Sequence, residues 1–341
     1  MRAQVFHGPG DLRFEEVPWP TPKPGEVVLG IEAALTCGTD VKTWRRGHPV
    51  MIPHVPTVFG HEYAGTVTAV GAGVKNVREG DRVVAANSAP CGSCRPCLGG
   101  RANLCEDLLF VNGAYGEAIA LPPRLVQRNV VRIGAGLTAA RAAFAEPLAC
   151  AILGIDRARL EDGQTVVVFG HGPLGCLLAM VAAAGKARVF LVGKAGWRLE
   201  QIRAARIAEC LDAHATADIV GEVRALTGGR GADVTVDATG RPEGWEQAMA
   251  AVSRGGTVVF FGGCAPGSRV SLDTQRVHYE ELTLVGAFHH TPEAIRRAVE
   301  LLEAEALIPD GLLTHRMGLE AVPSALELMA RGEALKVLIE P

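Results

Sequence analysis

The sequence predicts an α/β protein of two domains, one a β-rich, barrel-like unit and the other a doubly wound parallel sheet. Three observations carry this expectation. The chain has 341 residues, more than one core fills before it stops growing near ~250 to 300 residues. Up to about residue 147 it reads as short strands cut by glycine and proline, the pattern of an all-β unit. From Gln164 onward, continuous apolar runs alternate with helical stretches, as parallel strands buried on both faces require.

In the first part, strands are expected over 2–6, 27–33, 64–70, 82–86 and 116–121. The alternating prolines Pro18, Pro20, Pro22 and Pro24 fix φ and remove donors, so that stretch is expected to be an extended surface crossing. In the second part, the run Thr165-Val166-Val167-Val168-Phe169 predicts a buried strand, and further strands are expected over 188–192, 209–212, 233–237, 257–261 and 282–287. Helices over 292–303 and 321–331 and a strand over 336–339 follow, and these late elements are expected to return to the first domain.

Hydrophobic residues make up 48% and charged residues 21%, with a formal net charge of −3, which fits a globular protein and excludes a disordered or fibrous one. Lys and Arg are scattered among Asp and Glu, so no basic stripe is present to neutralise a nucleic acid. No apolar run approaches the ~20 residues that span a bilayer, and the first residues carry no signal-peptide pattern, so a soluble, cytoplasmic protein is expected.

The chain has nine cysteines, and an odd number with four crowded into one loop points to metal rather than disulfides. Cys91, Cys94, Cys97 and Cys105 form C-x2-C-x2-C-x7-C, and four thiolates at that spacing can close a tetrahedron around Zn²⁺ with no position left for water. An iron–sulfur cluster is the competing group, although the loop lacks the ferredoxin run that ends in Cys-Pro. Cys37, His61, Glu62 and Glu146 form a second, dispersed set. A thiolate, an imidazole and a carboxylate give three protein ligands and leave a fourth position open, which is what catalysis at a metal needs.

Gly170-His171-Gly172-Pro173-Leu174-Gly175 is a GxGxxG turn between an expected strand and helix. Its glycines permit the tight turn, the approach of backbone to a pyrophosphate and the packing of helix on strand. NAD-binding versions place an acid about 20 residues further on. Here that position is Gly193, followed by Lys194. The missing repulsion and the added cation favour NADP over NAD.

Cys37-Gly38-Thr39-Asp40, Gly60-His61-Glu62-x-x-Gly65, the Cys91 to Cys105 loop, Glu146-Pro147 and the Gly170 to Gly175 turn occur in one order. In that order they resemble the zinc-containing medium-chain dehydrogenases over essentially the whole chain. The similarity is greatest to the sorbitol and threonine dehydrogenase branch, in which a glutamate before proline stands where the alcohol dehydrogenases of animals carry a cysteine.

The resemblance implies a GroES-like catalytic domain over 1–147 and 288–341 and a Rossmann cofactor domain over 148–287. It implies two zinc ions per subunit, one structural on the four-cysteine loop and one catalytic on Cys37, His61 and a carboxylate. Glu146 is the first choice for that carboxylate, with Glu62 behind it or exchanging with it. Asp40 is implied as a partner of the ligands. Cofactor contacts are expected at Gly170, Gly172, Pro173, Leu174, Gly175, Gly193, Lys194, Arg198, Thr239 and Lys336, the last at the pyrophosphate.

The implied reaction moves a hydride between a secondary alcohol carbon, as in a polyol, sugar alcohol or cyclitol, and the nicotinamide. Thr39 is expected to take the hydroxyl proton. Many relatives complete the relay with a histidine five residues after the cysteine; here that residue is Lys42, which needs burial to titrate near neutrality. Threonine oxidation is the alternative substrate reading, since Leu312-Leu313-Thr314-His315-Arg316 also resembles threonine dehydrogenases. Trp44, Phe59, Phe110 and His289 are pocket candidates, each better explained by packing than by recognition. Relatives form dimers or tetramers, so a homo-oligomer is expected. A non-catalytic dinucleotide-binding protein leaves Cys37, His61 and Glu146 unexplained, and a zinc-binding interaction module leaves the glycine turn unexplained.

Overall fold

The computed structural model describes residues 1–307 and 309–341. The chain divides into two compact units, Met1–Ala149 with His290–Pro341, and Cys150–His289. Among the described residues no helix is long and apolar enough to cross a membrane.

The first unit is built on a seven-stranded sheet. Its central strand, Val27–Leu35, pairs antiparallel with Glu62–Val70 on one side and with Lys336–Glu340 on the other, and also with Ala118–Leu121. Val130–Arg132 and Arg82–Ala85 extend one edge and Leu313–Gly318 the other. The late strand therefore lies in the first unit, with Leu338 opposite Leu35 and Ile339 opposite Ala34. A second sheet of Asp11–Glu16, Arg2–Gly8 and Thr57–Val58 was not fully legible, because Asp11–Glu16 offers only Leu12 and Phe14 among charged residues and Thr57–Val58 is two residues long. Phe6, Phe59, Tyr63 and Tyr115 are the largest aromatic side chains of this core, and Phe6 stacks on Phe59 with ring centroids 5.3 Å apart.

A helix over Gly38–Arg46 follows the central strand directly. Cys37 is its N-cap: the thiol accepts from Thr39 N (3.4 Å) while Asp40 Oδ2 accepts from Cys37 N (3.0 Å). This reciprocal arrangement satisfies amides that a helix end otherwise leaves unpaired.

The second unit is a six-stranded, all-parallel sheet. In spatial order its strands are Glu209–Asp212, Arg188–Gly193, Thr165–Phe169, Ala232–Asp237, Val252–Phe260 and Thr283–Gly286. In chain order they stand 3-2-1-4-5-6, so the topological switch point lies beside the first strand, where dinucleotides bind in such sheets. Helix Pro173–Ala184 leaves the glycine turn with Gly172 as N-cap and Pro173 in its first turn.

Candidate metal and cofactor sites

Strand pairing brings the dispersed metal set together. Leu35 sits opposite Glu62 in the sheet, so Cys37, just past the end of one strand, meets His61 and Glu62 at the start of the other. Ligand atoms of Cys37, His61 and Glu62 lie within 4.8 Å of one another. Arms of about 2.0 to 2.3 Å to a shared Zn²⁺ require separations only somewhat shorter than this. His61 and Glu62 are buried and Cys37 is half-buried.

Each ligand is oriented from behind. Asp40 Oδ1 accepts from His61 Nδ1 at 2.7 Å, which leaves the Nε2 lone pair for a metal. Tyr115 Oη in turn donates to Asp40 Oδ2 at 2.6 Å. Glu62 Oε2 accepts from the ammonium of Lys336, whereas Glu62 Oε1 is buried with no hydrogen-bond partner. An orphaned carboxylate oxygen beside a thiol and an imidazole fits a divalent cation.

Electrostatics follow from the same contacts. Burial pushes the Cys37 thiol up, but the Lys336 ammonium and the His61 imidazole outweigh it and bring the thiol down to about 7. Burial also opposes the charged form of Lys336, yet Glu62 and Cys37 hold its ammonium above the usual lysine range.

The four-cysteine loop closes as its spacing predicts. Ligand atoms of Cys91, Cys94, Cys97 and Cys105 lie within 4.8 Å of one another. Cys94 Sγ and Cys105 Sγ are 3.8 Å apart, too far for a disulfide and about the edge of a tetrahedron with ~2.3 Å arms. Amides of Ser93 and Cys94 donate to Cys91 Sγ, and the amide of Cys91 donates to Cys105 Sγ. Such donors stabilise thiolate.

In the second unit, Gly170 has φ 113°, which its glycine permits, and a Cβ on Gly175 would collide with the carbonyl oxygen of Gly170. Amides at the start of helix Pro173–Ala184 are thereby left facing the turn, ready for a pyrophosphate.

Known proteins are similar to this chain over nearly its whole length. Residues 23–131 match the model of the alcohol dehydrogenase GroES-like domain and residues 173–304 that of the zinc-binding dehydrogenases. A sorbitol dehydrogenase of Bombyx mori is 31% identical, with 99% of this chain and 97% of the relative covered. An L-threonine 3-dehydrogenase of Bacillus subtilis is 32% identical, with 96% and 94% covered. A zinc-binding dehydrogenase of Sinorhizobium meliloti, solved bound to NADP, superposes with a TM-score of 0.90 at 27% identity and covers 100% of this chain and 99% of its own. The chain belongs to the zinc-containing medium-chain dehydrogenases.

Several expectations meet this dehydrogenase's structure differently. Glu146, the first choice for the carboxylate ligand, stands outside the Cys37, His61 and Glu62 set; its Oε1 lies 3.8 Å from His290 Nε2. Lys336, expected at the pyrophosphate, is instead buried in the first unit with its ammonium on Glu62, because Leu338 pairs with Leu35 and carries the lysine inward. Lys42 is exposed on the Gly38–Arg46 helix, so the burial that a relay role requires is missing. Thr39 is half-buried two residues past Cys37, and its amide donates to the Cys37 sulfur.

Among the cofactor candidates, Gly193 ends its strand, Lys194 is exposed and Arg198 is half-buried at the start of helix Trp197–Ala204. Thr239 Oγ1 donates to Asp237 Oδ1 at 2.6 Å and accepts from Arg241 N at 3.1 Å, which ties it into its own loop. Phe59 is a core residue, stacked on Phe6, and Trp44 packs against that same core; Phe110 and His289 are half-buried. Sequence reasoning did not find Tyr115. It lies 75 residues from the Asp40 that it holds, and no local spacing signals that contact.

Proposed function

We propose that this dehydrogenase oxidises a secondary hydroxyl of a polyol-class alcohol to the ketone, with NADP as hydride acceptor and two zinc ions per chain. The catalytic ion is assigned to Cys37, His61 and Glu62, with Glu146 as an alternate ligand, and the structural ion to Cys91, Cys94, Cys97 and Cys105. The observation that carries the reading is Glu62 Oε1, a buried carboxylate oxygen without a hydrogen bond beside two unlike metal ligands. Zn²⁺ bound there would supply a Lewis acid favouring loss of the hydroxyl proton, and a bound nicotinamide would supply the hydride acceptor.

The protein's own groups do the rest. Asp40 fixes the His61 ring through Nδ1, Lys336 fixes one oxygen of Glu62, and the Thr39 hydroxyl receives the proton. With Lys42 exposed, the proton passes from Thr39 to water. NADP is supported by Gly193 in place of an acid, with Lys194 and Arg198 following, and by the NADP-bound relative. A homo-oligomer is supported by the edge strand Thr283–Gly286, flanked by Tyr279 and Phe288, which are 78% and 57% exposed. Among the described residues no two of the nine cysteines are joined in a disulfide, which suits a reducing compartment.

The polyol reading is preferred to threonine oxidation. The stretch that resembled threonine dehydrogenases is spent on strand pairing: Thr314 Oγ1 donates to Lys336 O (3.2 Å) and accepts from Leu335 N (3.1 Å), and His315 Nδ1 lies 3.0 Å from Thr314 Oγ1. The test is zinc analysis of the purified chain together with an absorbance screen at the reduced-nicotinamide band. Sugar alcohols, inositols, short diols and threonine are offered with NADP and with NAD. Turnover of threonine alone would overturn the substrate reading, and turnover without zinc would overturn the mechanism.

A further inference from the structure

At the end of the second strand of the parallel sheet, the space beside Gly193 is already taken. A Cβ placed on Gly193 would stand 2.5 Å from His171 Cγ, 2.7 Å from its Cβ and 2.9 Å from its Cδ2, all well inside the ~4 Å of ordinary apolar contact. No carboxylate of the NAD-binding kind therefore fits at position 193 while His171 keeps its place. His171 is the second residue of the glycine turn, so a ring from the phosphate loop occupies the ground where such sheets carry their ribose acid.

The charges acting on that ring are cationic. Burial first, and then Arg198 and Lys194, hold the imidazole below the usual histidine range. Asp212 lies opposite Gly193 in the sheet, but its Oδ1 accepts from the amides of Ala195 (2.9 Å) and His214 (2.8 Å). The His171 ring against Gly193, Lys194 directly after that strand end and Arg198 in the first turn of the next helix place an N–H donor, an ammonium and a guanidinium around one strand end, an arrangement that suits a dianion.

We infer that His171 is a specificity-determining residue: its ring keeps an acid out of position 193 and donates, together with Lys194 and Arg198, to the 2′-phosphate of NADP. The inference rests on the NADP reading above and deepens it.

Calorimetric titration of the full chain with adenosine 2′,5′-bisphosphate and with 5′-AMP reads this contact without turnover. The wild-type chain binds the bisphosphate more tightly. His171→Ala loses about tenfold of that preference, the order expected for one hydrogen bond to a charged group, with AMP affinity unchanged. His171→Gln, which retains a donor and most of the bulk, loses less. Gly193→Asp alone weakens both ligands by displacing the ring, whereas Gly193→Asp combined with His171→Ala turns the preference toward AMP. An unchanged preference in His171→Ala overturns the role of His171 and leaves the NADP reading standing. A wild-type chain with no preference for the bisphosphate overturns both and gives the ribose to Asp212.

Discussion

The ammonium of Lys336 and the carboxylate of Glu62 form an ion pair in which the two side chains are 2% and 0% exposed. The residues are 274 positions apart in the chain and meet because the last strand pairs with the same central strand as Glu62–Val70. Removing one partner of a buried pair strands the other charge, at a cost of about 3 to 5 kcal/mol. Lys336→Met should therefore lower unfolding stability by about that amount, and Lys336→Met with Glu62→Gln should recover much of it. Chemical denaturation of Lys336→Met, Glu62→Gln and the double variant, each metal-depleted, is the check; additive losses would mean that the pair is not coupled.

Glu62 and Glu146 make opposite forecasts for metal content. Glu62 sits with Cys37 and His61 whereas Glu146 does not. Glu62→Ala should purify with about one zinc per chain, the one held by the four cysteines, and Glu146→Ala with about two. Elemental analysis after dialysis decides between them, and the reverse pattern would return the ligand role to Glu146.

Acidity should act on the zinc-loaded protein far more than on the metal-free one. Burial disfavours the charged His61 imidazole, but Asp40 and Cys37 raise it well above the usual range. A group raised on folding contributes stability fully below its unfolded value, about 6.5, and loses that contribution as pH climbs through the folded value. In the chelated protein that loss is offset from about pH 7 to 9 by the Cys37 thiol, which is lowered to about 7 on folding and so adds stability as pH rises, leaving little net change from the pair. Zinc must displace the Nε2 proton, so the loaded protein should hold its metal more tightly over the same interval. Melting curves from about pH 6 to 10, with and without chelator, test this; parallel curves would refute it.

The four thiols of the cysteine loop should react in a fixed order once metal is removed. The amide and hydroxyl of Ser93, with the amide of Cys94, bring the Cys91 thiol down to about 6, while burial pushes Cys97 up to about 12. The thiolate is the reactive form. Iodoacetamide near pH 7 should therefore label Cys91 first and Cys97 last, as read by peptide mass spectrometry. Zinc should protect all four, and early labelling of Cys97 would contradict the assignment.

What the sequence disclosed tracks the range of each interaction. The four-cysteine loop and the glycine turn are local, so spacing alone indicated their chemistry. The parallel strands were legible because burial on both faces leaves uninterrupted apolar runs such as Thr165–Phe169. That Glu62 rather than Glu146 stands beside Cys37 and His61 was not legible, since it depends on the register that sets Leu35 opposite Glu62. Lys336 was misplaced for the same reason, as was Lys42, whose helix face only the packed structure reveals. Tyr115 and His171 were missed because the one acts through Asp40 and the other through the vacancy of a glycine.

Cys37 serves two masters, since one sulfur both receives the Thr39 amide and belongs to the metal set. Serine ranks among the best residues for ending a helix in this way, while alanine forfeits about 1 kcal/mol there. A Cys37→Ser chain would thus keep its fold-anchoring role and surrender only its grip on the ion. The difference between Cys37→Ser and Cys37→Ala would separate architecture from chemistry at a single atom.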